Sequence, residues 1–131
     1  MKGFILVADA ARAHPDGTFS LLRGGIDRLR TPSNQPIQFR GAVVARIVGR
    51  TPESGPHEFR IRVLNEDGQS VAPDINGSLN VPEGGGAANI VGEFTLILPT
   101  YGRYTFALLV DKQEVDSWEV RAEKAPPSSG V

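Results

Sequence analysis

The chain has 131 residues, of which 40% are hydrophobic and 22% charged, and its 14 basic and 15 acidic residues leave a formal net charge of −1. This length is typical of one globular domain, and the near-zero charge disfavours a dedicated binder of nucleic acid or of anionic membranes. The absence of cysteine excludes disulfides, thiolate metal sites and a cysteine nucleophile, and two histidines leave little for zinc or histidine catalysis.

The first predicted element is a strand over residues 3–8, in the apolar run that Asp9 ends. This run is shorter than the apolar core of about 7 to 15 residues in a secretory signal. No stretch reaches the roughly 18 apolar residues that cross a bilayer. We therefore expect a cytoplasmic protein without a membrane partner.

Further strands are predicted because apolar and polar residues alternate with a period of two along the chain, while helical periodicity is absent from windows longer than two turns. In chain order they cover residues 18–22, 26–30, 39–48, 58–64, 78–81, 89–98, 103–110 and 114–122. The clearest is residues 58–64, where Phe59, Ile61 and Val63 share one face. With the first strand, about nine strands are predicted.

Turn sequences between these runs indicate antiparallel pairing. Reversals are predicted at residues 14–17, 66–68, 99–102 and 111–113, where Gly, Pro and Asp concentrate. Gly24-Gly25 lies between two runs that look like one strand and predicts a bulge or bend within it. The chain is predicted to be all-β, a sandwich of two antiparallel sheets, with immunoglobulin-like and jelly-roll-like topologies left open.

The core and the domain limits follow from the same patterns. Four alternating residues are expected to face inward, with Trp118 and Val120 opposite them: Tyr104, Phe106, Leu108 and Val110. Residues 1–123 are predicted to form one domain. Residues 124–131 combine prolines with small residues and are predicted to be a flexible tail.

Three segments carry a resemblance to a known family. They are Ala8-Asp9 with Asp16-Gly17 and Gly25-Ile26-Asp27, then residues 60–68, and then residues 98–111 with Gly102-Arg103-Tyr104-Thr105-Phe106. The chain resembles an uncharacterised family of small bacterial β-sandwich proteins, a domain of unknown function. The resemblance implies a fold and no activity. Asp111-Lys112 departs from the Asp-Gly turn typical of that pattern and predicts another turn type.

Two motifs suggest ligand chemistry and are better explained as connections between strands. Residues 74–78, with Asp74 and Asn76, offer oxygen atoms as calcium loops do, but a third ligand and a distant glutamate are missing, so Asn76-Gly77 is interpreted as a turn. Gly84-Gly85-Gly86 lacks the Lys-Ser or Lys-Thr that follows phosphate-binding glycines and is interpreted as a flexible connection. We predict no cofactor and no metal site.

Candidate catalytic residues are few. His14 and His57 lie beside prolines and are expected to be solvated loop residues, and neither Ser20 nor Ser117 has an identifiable base. Asp9 and Asp27 were weighed as an acid and base pair, but aspartates at strand ends more often cap turns or pair with arginine, here Arg23 or Arg28. No catalytic residue is predicted.

The leading functional hypothesis is a non-catalytic protein-interaction or assembly module. Arg60 and Arg62 are expected on one exposed sheet face, with Arg40 and Arg46 as same-face companions, and such a face suits a protein contact. The partner would be an unknown protein or a second copy, and nucleic acid is not expected. The alternative is a small-ligand or carbohydrate-binding sandwich that uses Tyr101 or Trp118, and an enzyme ranks third.

Overall fold

Ten β-strands make up most of the described chain. The computed structural model describes residues 1–32 and 36–126, and its strands are β1 (Lys2–Ala8), β2 (Ala10–Ala13), β3 (Phe19–Leu22), β4 (Arg28–Thr31), β5 (Ile37–Gly49), β6 (Gly55–Leu64), β7 (Ile75–Val81), β8 (Gly86–Leu98), β9 (Gly102–Val110) and β10 (Gln113–Lys124). A 3-10 turn, Thr51–Glu53, joins β5 to β6. Within the described ranges, no helix is long and apolar enough to cross a bilayer. The prediction of an all-β chain is confirmed.

The strands form two facing sheets and one small hairpin sheet. The three-stranded sheet has the order β1-β5-β8, the five-stranded sheet has the order β4-β10-β9-β6-β7, and β2 pairs with β3. Neighbours run antiparallel except β4, which lies parallel to β10. The predicted sandwich is therefore confirmed, and the parallel pair and the extra hairpin are its departures from two purely antiparallel sheets.

The core is built from the inward-facing positions of both large sheets. The four alternating residues of β9 are buried as predicted: Tyr104, Phe106, Leu108 and Val110. On β10, Trp118 and Val120 lie directly across the ladder from Phe106 and Tyr104. The ring of Phe94, from the three-stranded sheet, contacts that of Phe106 with 5.4 Å between centroids. Burial of these large side chains is what holds the sheets face to face.

The β2–β3 hairpin covers the outer side of the three-stranded sheet. Ala42 and Val44 of β5 point away from the sandwich interior, yet both are fully buried because β2 packs across β5 and β8. Asn89 Nδ2 donates to the carbonyl oxygen of Gly17 at 2.7 Å and ties the hairpin turn to β8. Strand β2 was not predicted, since Ala-Ala-Arg-Ala contains no β-branched or aromatic residue.

The interpretations of two dipeptides that contain glycine are wrong. Asn76-Gly77, predicted as a turn, lies inside β7. There Gly77 faces Phe59 of β6, and a Cβ at Gly77 would come within 2.7 Å of the phenyl ring, so the glycine makes room for that ring. Gly24-Gly25 separates β3 from β4, which belong to different sheets, and therefore ends a strand instead of bending it.

The C-terminal boundary lies close to the predicted one. Lys124 is the last residue of β10, and the backbone N–H of Ala125 donates to the carbonyl oxygen of Thr31 at 2.9 Å. Residues 127–131 of the predicted tail lie outside the described residues. The flexible tail and the domain limit at residue 123 stay predictions.

Backbone groups on the free edge of β1 are satisfied by Asp116 of the other sheet and by residues 25–26 of the connection before β4. The register of β10 shifts between Glu114 and Asp116, and Asp116 Oδ2 accepts the backbone N–H of Ile5 at 2.9 Å. The carbonyl oxygen of Val7 accepts N–H groups from Gly25 and Ile26, both at 2.9 Å. Because these β1 groups have no strand neighbour on this side, the contacts satisfy them and join the two sheets.

We expect Asp116→Ala to lower the free energy of unfolding by about 1 to 3 kcal/mol, because it leaves the partly buried N–H of Ile5 without its acceptor. Asp116→Asn keeps a side-chain carbonyl oxygen and should be less destabilising. Urea denaturation of the wild type and both variants measures the difference. Equal stability of Asp116→Ala and the wild type would contradict this role of the carboxylate.

Candidate interaction surface

The four arginines predicted to share one face lie on two different surfaces. Arg40 and Arg46 are on β5 of the three-stranded sheet, whereas Arg60 and Arg62 are on β6 of the five-stranded sheet. The expected single face is corrected, because the turn after β5 carries the chain from one sheet to the other and β5 never pairs with β6. A role in partner contact for either pair stays a prediction.

Both arginines of β6 are paired with one carboxylate. Arg60 Nε and Arg62 Nε each lie 3.7 Å from an oxygen of Asp74, and Arg60 Nε also donates to Asn76 Oδ1 at 3.0 Å. The two side chains weighed as calcium ligands are therefore partners of arginine. Across residues 1–32 and 36–126, no three His, Asp or Glu side chains are arranged to hold a metal ion.

The two arginines of β5 have different surroundings. Arg46 Nη1 donates to Asn89 Oδ1 at 3.0 Å. Arg40 lines a depression of about 300 Å³ together with Asp9 and Glu93. With the β2–β3 hairpin packed between them, these two arginines do not form one continuous basic patch.

A second group of arginines lies on the outer face of the five-stranded sheet, near its β4 edge. In the strand register, Arg121 of β10 lies directly between Arg28 of β4 and Arg103 of β9. The three exposed residues, here called the arginine row, cross three neighbouring strands. Each strand was predicted, but no local pattern indicated that β4 pairs with β10, so the row was missed.

Glu123 lies at one end of the arginine row. Its Oε1 accepts a hydrogen bond from Arg30 Nε at 2.9 Å and lies 3.4 Å from Arg28 Nε. The hydrogen bond from Arg30, followed by the charges of the neighbouring arginines, lowers the pKa of Glu123. The glutamate therefore stays ionised and neutralises the β4 end of the row.

Arg103, at the other end of the arginine row, and Arg121, in its middle, differ in their contacts with carboxylates. Arg103 Nε lies 3.7 Å from Glu119 Oε1. Arg121, between the two neutralised ends, has no carboxylate within 4.0 Å of its guanidinium among the described residues. The row therefore keeps one guanidinium without an acidic partner.

A shallow depression of about 560 Å³ lies beside the arginine row and is lined in part by Arg103, Arg121, Glu119 and Glu66. Glu66 Oε1 accepts the backbone N–H of Arg103 at 2.8 Å and holds the loop after β6 against the start of β9. The depression falls within the range of about 300 to 1,000 Å³ typical of binding sites.

Strand β7 is a sheet edge without the usual protection. Its seven residues, Ile75–Val81, include no charged residue and no proline, and its register with β6 has no bulge. In the part of the chain that the structure describes, β6 is its only paired neighbour. Proteins generally shield such edges, since an open row of N–H and C=O groups pairs readily with another chain.

The other edges of the two large sheets are shielded in different ways. Strand β4 has only four residues, two of them arginines, and β1 is closed by Asp116 and by residues 25–26. Strand β8 carries Glu93, and the β2–β3 hairpin packs against it. Strand β7 is thus the edge best suited to pair with an added strand.

His57 is not the solvated loop residue that the sequence suggested. It lies in β6, with Nδ1 at 2.5 Å from Asp111 Oδ2 and Nε2 at 2.6 Å from the backbone carbonyl oxygen of Glu53. Because both partners are acceptors, the protonated imidazole, which donates from both ring nitrogens, is the form that satisfies both contacts. The hydrogen bond to Asp111, followed by that to the Glu53 carbonyl, raises the pKa of His57.

This histidine contact braces the turn between β9 and β10. Asp111 and Lys112 have φ angles of 49° and 71°, the positive values of a type I′ turn, although neither is glycine. Asp111 Oδ1 also accepts the backbone N–H of Glu58 at 3.1 Å. The predicted change of turn type at Asp111-Lys112 is therefore wrong.

Two of the candidate catalytic side chains, His14 and Asp9, have contacts in the structure. His14 Nε2 lies 2.6 Å from Ser20 Oγ, which supplies a neighbouring base that the sequence did not reveal, but the pair is exposed on the β2–β3 hairpin. Asp9 Oδ2 lies 3.0 Å from Arg23 Nη1, which confirms the expected arginine partner.

The two aromatic residues of the ligand-binding hypothesis are placed differently. Trp118 is partly buried, and its Nε1 donates to the backbone carbonyl oxygen of Ile26 at 2.6 Å. Tyr101 lines a cavity of about 110 Å³ together with Glu66 and Asp67. This cavity is smaller than the roughly 300 Å³ at the low end of typical ligand sites.

Comparison with known families covers nearly the whole sandwich. A model described as a family of unknown function (DUF6941) matches residues 3–123, from β1 to the end of β10. The chain belongs to DUF6941. The predicted resemblance to an uncharacterised domain is thereby confirmed, while the bacterial origin and the N-terminal pattern stay predictions. No curated protein sequence matches this DUF6941 chain.

We expect the melting temperature to fall as the pH rises above about 6.5, the ordinary pKa of histidine. A histidine with a raised folded-state pKa contributes its full stabilisation below the unfolded pKa and loses it as the pH rises through the folded pKa. Thermal melts from about pH 6 to about pH 9 test this expectation.

Asp111→Asn is the matched control, since asparagine also adopts positive φ but carries no charge. Its melting temperature should vary less over the same pH window. The same pH dependence in both proteins would contradict the stabilising role assigned to the His57 and Asp111 pair.

Proposed function

We propose that this protein is a non-catalytic protein-interaction module that pairs an extended segment of a partner protein with edge strand β7. The observation that carries the proposal is the open edge of Ile75–Val81, which lacks charge, proline and bulge. An added strand gains main-chain hydrogen bonds along such an edge, and alternate side chains give the contact its specificity.

The surface beside β7 supports this function. A depression of about 670 Å³ on the outer face is lined in part by Phe59, Arg60, Leu109 and Asn76. A segment paired with β7 would lie next to this depression and place side chains in it. Arg60 combines an apolar stem with a planar charged group, so it can pack against a partner and pair with an acidic side chain.

Small-ligand or carbohydrate binding has less support. The Trp118 ring is held by its hydrogen bond to Ile26, and the Tyr101 cavity of about 110 Å³ is small for a sugar. Enzymatic activity ranks third, because both His57 nitrogens are engaged in structural contacts and the His14 and Ser20 pair is open to water. We propose no cofactor.

We also propose a cytoplasmic location. A chain without cysteine does not depend on an oxidising compartment for its stability. The partner segment is proposed to come from a different protein, and pairing between two copies of β7 is an outcome that the experiment below distinguishes.

We expect Ser78→Lys to abolish partner binding, because a lysine on an edge strand opposes pairing with a further strand. Ser78 is exposed and lies opposite Glu58, so the new cation is compatible with the fold. The measurement is a pull-down from the native host, with size-exclusion chromatography of the purified proteins. Captured proteins should be lost with Ser78→Lys while both proteins elute as monomers.

Thr105→Lys is the matched control, since it adds the same side chain to β9 at a position paired on both sides, opposite Glu119 and Leu64. It should capture the same proteins as the wild type. Identical captured proteins for Ser78→Lys and the wild type would refute the edge contact. A wild-type dimer that Ser78→Lys converts to a monomer would instead identify a second copy as the occupant of β7.

A further inference from the structure

We propose that the arginine row binds an acidic side chain on a segment of a partner protein, with its carboxylate placed between Arg103 and Arg121. This site lies near the β4 edge of the five-stranded sheet, opposite to the β7 edge. The inference goes beyond the proposed function because it uses none of the contacts of β7, and the two can fail separately.

The fold gives no reason of its own for the arginine row. Like charges directly opposite each other on neighbouring strands are destabilising. Arg121 faces an arginine on both sides, Arg28 and Arg103, so the repulsion acts twice at one position. A bound carboxylate would turn this unfavourable arrangement into a favourable one.

The charges already present show where that carboxylate fits. Glu123 pairs with Arg28 and Arg30 at one end, and Glu119 pairs with Arg103 at the other. Arg121, in the middle, is the guanidinium without a carboxylate within 4.0 Å in the described part of the chain. Arginine binds a carboxylate through two parallel N–H groups, which makes a single acidic side chain a suitable ligand.

The same surroundings favour an acidic peptide over nucleic acid. Glu66, Glu119 and Glu123 line the depression together with the arginines. A phosphate backbone is a continuous run of negative charge and would meet these three carboxylates. A peptide can place one carboxylate at Arg121 and neutral or apolar groups elsewhere, and the net charge of −1 provides no long-range attraction for polyanions.

The experiment uses the full chain and a fluorescein-labelled hexapeptide that carries one glutamate among serine and glycine residues, with binding followed by fluorescence anisotropy at low salt. Arg121→Gln should weaken binding by about tenfold or more, the loss expected for a charge-assisted hydrogen bond. Arg40→Gln removes the same charge from the opposite face and should bind as the wild type does. Ser78→Lys should also bind normally, which separates this site from the β7 edge.

The melting temperature of Arg121→Gln provides the second measurement. It should equal or exceed that of the wild type, because the substitution removes repulsion within the row. A lower melting temperature would show a structural role for Arg121 and overturn the proposal. Unchanged binding by Arg121→Gln, equal binding of the peptide with glutamine in place of its glutamate, displacement by equimolar inorganic phosphate, or tighter binding of a single-stranded DNA oligonucleotide would each overturn it as well.

Discussion

Strand β5 is the element on which the rest of the fold depends, because both of its faces are buried along its middle. Residues 41–45 are buried without interruption. Val43 and Ala45 pack into the sandwich interior, while Ala42 and Val44 lie beneath the β2–β3 hairpin. An antiparallel sheet with one wet face would give an alternating sequence, so a continuous apolar run marks a strand covered on both sides. The close packing also explains Gly41, where a Cβ would lie 2.7 Å from the carbonyl oxygen of Ala8.

The edge strands at the two margins of the sandwich differ in how their backbone groups are satisfied. This difference determines where the two candidate surfaces lie. At one margin, Asp116 and residues 25–26 satisfy the edge of β1 and join the sheets. At the other, β7 ends the five-stranded sheet with its outer hydrogen-bonding groups unpaired by any described strand. At the first margin, the charged side chain of Asp116 on β10 satisfies the edge of β1. At the second margin, the outer main-chain groups of β7 are left for another chain. The two proposed contacts therefore depend on different physical interactions.

Local patterns were sufficient for much of the fold. Alternation in residues 103–110 and 114–122 predicted the buried side chains of β9 and the position of Trp118 and Val120 opposite them, because a short hairpin keeps such partners close in sequence. The same alternation could not show which distant strands adjoin. It misassigned Arg40 and Arg46 to the face of Arg60, and it gave no sign of the β4 and β10 pairing that creates the arginine row. The His57 contacts were also hidden, since they join a strand, a 3-10 turn and a hairpin turn.

The contacts that close the sandwich join parts of the chain that are synthesised far apart in time. The hydrogen bond from Ile5 to Asp116 spans 111 residues, and β4 can pair with residues 121–124 only after these have been synthesised. The three-stranded sheet can assemble once β8 is available, but its inner face stays exposed to water until β9 and β10 follow. Such distant contacts require the closure of large loops, which slows folding. The emergence of β10 from the ribosome therefore determines when the apolar interior is removed from water and from other nascent chains.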